Sequence, residues 1–152
     1  FNIHYRLLLR RYARFKEIDD VFNTDIDVIT YLDMIVVQLR AMCIESPRLK
    51  KNYTAQILLR KVGEGELAER IDTMLEEPFI PESDFTIRKA LKTLADGFIC
   101  HYDNFDGIDV DGWSFAEIIE KRLRNPYDMP NLDYIMKNII DCLGEGLTIK
   151  IK

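Results

Sequence analysis

The chain has only two imidazoles for acid–base work near neutrality, His4 and His101. His4 stands near the first residue and reads as exposed. His101 follows Phe98 by three positions and Leu94 by seven, which sets it at the end of an apolar helical face. It is the candidate catalytic residue, and its structural alternative is a side chain that caps terminal carbonyls or seals the core. Carboxylates form a second constellation. Glu66, Glu69 and Asp72 recur every three residues, as do Glu117 and Glu120, so each helix presents oxygens of the kind that hold Mg²⁺, or simply a solvated face. Cations form a third. Arg6, Arg10 and Arg14 are spaced four apart beside Arg11, Tyr5 and Tyr12, and Arg48, Lys50, Lys51, Arg60 and Lys61 follow. Together they suit a nucleic acid, with cations neutralising phosphates while aromatic rings stack on bases. The competing expectation is that the chain's own acidic residues pair with them.

Charge along the chain sharpens that competition. Residues 1–61 carry eleven Lys or Arg against seven Asp or Glu, a net of +4; residues 62–120 carry four against fifteen, a net of −11; residues 121–152 carry six against four, a net of +2. Opposite blocks of this kind either face each other across a fold or present separate basic and acidic surfaces. The three cysteines, Cys43, Cys100 and Cys142, are odd in number and far apart, which makes neither a disulfide framework nor a metal knuckle. A reducing, cytoplasmic setting follows as the expectation. No apolar run reaches the roughly 20 residues needed to span a bilayer. The acidic, glycine-punctuated stretch 103–112 fails the EF-hand pattern in either register, because no glutamate falls at the closing position. Phosphate-cradling loops, serine-nucleophile elbows and HExxH helices are absent from the sequence.

The elements that must position these groups read as helices. Tyr5, Leu8, Tyr12, Phe15, Ile18 and Phe22 share one face of the first. Val28, Leu32, Ile35, Leu39 and Met42, broadened by Ile29, Val36 and Cys43, give the second so wide an apolar stripe that it must lie centrally or await a partner subunit. Pro47 stops it. A short helix over Ala55, Ile57 and Leu58 ends at Val62-Gly63, and the next runs from Glu64 to Leu75 with acidic residues favoured in its first turn. Pro78 and Pro81 mark an extended linker. Ser83 or Asp84 is expected to cap a helix through Ile87, Leu91, Leu94 and Phe98, and Ser114 with Glu117 makes a capping box for another. The last begins near Pro130 and stops at Gly144, leaving LTIKIK as a short extended segment. Six or seven short amphipathic helices without alternating strands mean an all-α bundle, a single domain over residues 1–152, with a homodimer expected from the breadth of the second stripe.

Two resemblances bear on function. The stretch Ile87–Asn104, with His101 followed by Asp103 and Asn104, resembles the late helix of HEPN-like domains, helical bundles that bind or cleave RNA and often dimerise. Nuclease members place an arginine four to six residues before the histidine, where this chain has Ala95 and Asp96, and Arg88 lies thirteen residues upstream. Without an arginine to stabilise developing phosphorane charge, the resemblance implies a relative that has lost cleavage. Glu69-Arg-Ile-Asp72 is similar to the ExxD half of the motif in MazG-like Mg²⁺-dependent nucleoside triphosphate pyrophosphohydrolases, whose other half is missing here. Three expectations follow: a nucleic-acid-associated bundle that acts through Arg6, Arg10, Arg14, Arg48, Lys50 and Lys51 and needs no cofactor; a Mg²⁺-dependent nucleotide hydrolase using Glu66, Glu69 and Asp72; and a non-enzymatic helical interaction module.

Overall fold

The computed structural model describes residues 1–19, 25–44, 54–99 and 115–148. They form seven α-helices: α1 (Asn2–Ile18), α2 (Ile26–Cys43), α3 (Ala55–Lys61), α4 (Gly65–Glu76), α5 (Ile87–Thr93), α6 (Phe115–Arg124) and α7 (Leu132–Thr148). A π-helical turn, Leu94–Ile99, continues α5. No described helix is long and apolar enough to cross a membrane. The all-α bundle expected from the spacing of apolar residues is the observed fold.

Helix α2 is the hub. Its Val28, Leu32, Ile35, Val36 and Leu39 are fully buried, and α1, α3, α5 and the π-turn all pack on it. Each such aliphatic side chain contributes about 1.5–3 kcal/mol by leaving water. Helix α1 runs antiparallel to α2: the carbonyl oxygen of His4 accepts from Gln38 at one end, and Arg14 lies near Tyr31 at the other. On the far side α4 packs against α7, α3 and α5 through Leu67, Ala68, Ile71, Met74 and Leu75.

Local chemistry sets the boundaries. Thr54 caps α3, its side-chain oxygen accepting from the Ile57 N–H, and Gly63 with φ of 88° ends that helix in the left-handed conformation glycine tolerates. The cap of α5 is Thr86, which accepts from the Lys89 N–H, and not Ser83 or Asp84; Ser83 instead bonds the Ile80 carbonyl and closes a local turn. Asn131 caps α7 by accepting from the Tyr134 N–H, so Pro130 lies outside the helix. The stretch read as a linker is ordered into the core. Phe79 is fully buried between Pro78 and Ile80, its N–H donates to the Phe85 carbonyl, and Pro78 bridges to Thr86. Phe85 stands edge-on to both Phe79 and Phe115, while the Arg122 guanidinium lies 5.5 Å over the Phe79 ring.

Helix α7 does not stop at Gly144. It continues through Gly146 to Thr148, so the first two residues of the expected extended segment are helical, and the last four lie outside the described residues. The reason for Gly146 is close packing: a Cβ there would overlap Leu59 Cδ2 of α3 and lie 3.2 Å from Leu67 Cδ1 of α4. A Cβ on Gly144 meets nothing within 4 Å. The two glycines therefore respond oppositely to the same substitution. Gly144→Ala is expected to stabilise by about 1 kcal/mol through helix propensity. Gly146→Ala must displace the fully buried Leu59, an overpacking cost of about 1–3 kcal/mol that exceeds the same gain. Urea unfolding of the two variants checks this, and equal shifts in one direction would refute it.

Candidate binding groove between the first two helices

Of the residues with chemical promise in the sequence, His101 and the basic trio Arg48, Lys50 and Lys51 lie outside the described residues, as do Ser114 and the acidic stretch 103–112. The others divide sharply. Glu69 and Asp72 turn toward Arg60, whose Nη2 lies 2.9 Å from Glu69 Oε1 and 2.6 Å from Asp72 Oδ2. Arg88 approaches Asp72 from α5 at 3.6 Å and binds Glu76 at 2.5 Å, while the buried Gln56 donates to Asp72 Oδ1. The two carboxylates proposed as Mg²⁺ ligands thus face two guanidiniums, and Glu66 points to solvent one turn earlier on α4. Among the described residues no group of three His, Cys, Asp or Glu side chains is placed to hold a metal ion. Asp96, standing where the HEPN-like nuclease pattern has arginine, accepts from Arg40 of α2 at 2.8 Å.

Cys43 and Cys142 are both buried, and burial pushes the Cys43 thiol up to about 12, so it stays protonated and acts as an apolar filler.

The arginine row of α1 behaves differently. Arg6, Arg10 and Arg14 line one solvent-exposed side of the helix. Arg14 is paired with Glu17 of its own helix at 2.8 Å and lies near Tyr31 of α2. Arg6 and Arg10 have no ion-pair partner among the described residues. Over Asn2–Ile18 five cationic side chains face one carboxylate. Beside the row lies a groove of about 540 Å³ between α1 and α2, lined by His4, Leu7 and Arg11 from one helix and by Thr30, Met34, Val37 and Ala41 from the other. Leu7 and Met34 are 38% and 42% exposed, and Ile3, one turn before Leu7, is 75% exposed. From Thr30 to Ala41 the floor runs about 16 Å. At the α1 edge Gln38 is buried and joins the two helices, its amide donating to the His4 carbonyl and its oxygen accepting from Arg11 Nη1 at 2.8 Å.

The α2 edge of the groove is acidic. Asp33 lines it with one carboxylate oxygen, Oδ1, buried and without a hydrogen-bond partner. Burial pushes its carboxyl up to about 6. Glu120 of α6 is pushed up to about 6 as well, first by burial and then by the negative charge of Asp33, with Glu117 adding to the effect and Arg124 opposing it. The sequence offers Glu120 only as a candidate oxygen ligand beside Glu117 and marks Asp33 only as a carboxylate next to the apolar stripe of α2.

No family model, curated protein or solved structure matches the chain, so the geometry itself carries the functional argument.

A carboxyl raised from 3.8 to about 6 binds its proton more tightly in the folded state. Its contribution to stability is complete below the unfolded value and is lost as pH climbs through about 6. Asp33→Asn removes that loss and also relieves Glu120. The variant is therefore expected to melt higher than the parent near pH 7.5, with the advantage shrinking toward nothing near pH 4. Thermal melts across that range measure it, and a loss of stability equal at both ends would contradict the account.

Proposed function

We propose that this protein is a non-enzymatic helical interaction module that seats a segment of another protein in the α1–α2 groove. The observation that supports this reading is the continuous open apolar strip of Leu7, Met34, Val37 and Ala41 on the hub helix and its neighbour, flanked by charges that the rest of the described fold leaves available. Exposed apolar surface with a polar rim is characteristic of association sites, and a groove between antiparallel helices matches the face of a third helix. The hydrolase reading has less support, because Glu69 and Asp72 face Arg60 and Arg88 instead of an open site. The nucleic-acid reading retains Arg6, Arg10 and Arg14 on the outer side of α1, but the neighbouring groove is an apolar strip with the carboxylate of Asp33 on its far edge, which phosphates would avoid.

A photo-crosslinking side chain placed at Leu7 or Met34 is expected to capture one defined protein partner in cells. The same label at the exposed Lys137 of α7 is expected to capture none. Equal capture from both faces, or capture of RNA from the groove positions, would overturn the proposal.

A further inference from the structure

We propose that the occupant of the groove is an acidic amphipathic helix supplied by a different protein, held with its carboxylates over α1; this rests on reading the groove as a binding surface. Three observations select that chemistry. The α1 side is basic, with Arg6 and Arg10 unpaired among the described residues and Arg11 at the lining itself, held only by the neutral Gln38. The floor is apolar, with Thr30, Met34, Val37 and Ala41 repeating at helical spacing, which fits anchors at i, i+3 or i+4 and i+7 of an incoming helix. The α2 side is acidic, because it carries the carboxyl of Asp33, one oxygen of which has no hydrogen-bond partner, with the carboxyl of Glu120 close enough to act on it. The two sides therefore carry opposite charge, and an incoming helix is oriented by them: acids above Arg6 and Arg10, neutral or basic groups above Asp33.

The same features disfavour the other occupants. A second copy docking about a two-fold axis that runs across the groove would bring the Arg6 and Arg10 rows of both copies together, where like charges repel, and only an axis along the groove would set each basic side over the partner's acidic one, the arrangement that the dimerisation outcome below tests. A nucleic-acid strand would satisfy the arginines but set phosphates against Asp33 and leave Leu7 and Met34 without apolar contact.

The test uses the full chain and three fluorescent probes: a peptide of about 18 residues with leucines at the anchor spacing and glutamates on its flanks, the same peptide with lysines for the glutamates, and a single-stranded RNA of about 20 nucleotides. At about 0.15 M salt the glutamate peptide is expected to bind at least about tenfold more tightly than the lysine peptide. Arg6→Glu with Arg10→Glu is expected to reverse that order, and Met34→Asp to abolish both complexes. These positions are exposed, and circular dichroism of each variant checks that it folds. If both peptides bind equally and both are lost in Met34→Asp, the groove reading stands and the acidic partner is wrong. If neither peptide binds, or the RNA binds through Arg10 and displaces them, both readings fall. Concentration-dependent dimerisation abolished by Met34→Asp would show a second copy as the occupant and overturn the inference.

Discussion

Helix α1 buries only Leu8 and Phe15 completely, with Phe1, Tyr5, Tyr12 and Ile18 partly buried against the core, so apolar packing alone leaves part of its placement unset. Polar fasteners supply the rest. Gln38 binds its backbone at His4 and its side chain at Arg11; Asp133 of α7 accepts from Tyr12 at 2.8 Å and from Lys16 at 2.7 Å; and Arg124 of α6 grips Asp19, just past the helix end, at 2.8 Å in a setting where both side chains are about nine-tenths covered. Such bonds are directional and exact a cost when left unmade, so they fix the rotation of α1 about its own axis. That rotation turns Leu7 toward the groove and Arg6 and Arg10 toward solvent. With a larger buried stripe the helix would settle deeper and the groove would close.

The charge blocks of the sequence resolve into two populations. Arg40 and Arg60, from the basic first stretch, are claimed by Asp96, Glu69 and Asp72 of the acidic middle stretch, and Arg88 joins them from within that stretch. This is internal pairing, as ordinary surface chemistry favours, and it sets guanidiniums against the ExxD carboxylates. Arg6 and Arg10 sit on the opposite side of α2 from that network. Distance, not composition, exempts them, and a count of charges along the chain has no means of showing which cations fall on which side.

Much of the fold was legible in the residues. The stripe from Val28 to Met42 identified the hub, Val62-Gly63 marked a true helix end, and the acidic start of α4 was placed correctly. Misreadings arose where a residue has two physical uses. Glycine both ends helices and permits close approach; Gly146 serves the second purpose because Leu59 and Leu67 press against it. Thr86 took the capping role from Ser83 because the Phe79–Phe85 contact fixes where the chain turns into α5. The groove was illegible for a different reason: Leu7, Met34 and Val37 look like any core residues in one dimension, and only the rotation of α1 leaves them uncovered.

The segment between α4 and α5 illustrates how a connection becomes a keystone. Surface connections ordinarily accept insertions, since their backbone faces water and their length is unconstrained. Here the ring of Phe79 is wedged beneath Arg122 and against Phe85, the backbone is stitched at Pro78 to Thr86, and Glu77 takes the Tyr134 hydroxyl at 2.8 Å. Four helices, α4 through α7, converge on ten residues of nominal loop. Its length is consequently as inflexible as that of a core strand, and descendants of this sequence are free to vary the surface of α1 far more readily than to lengthen this stretch by a single residue.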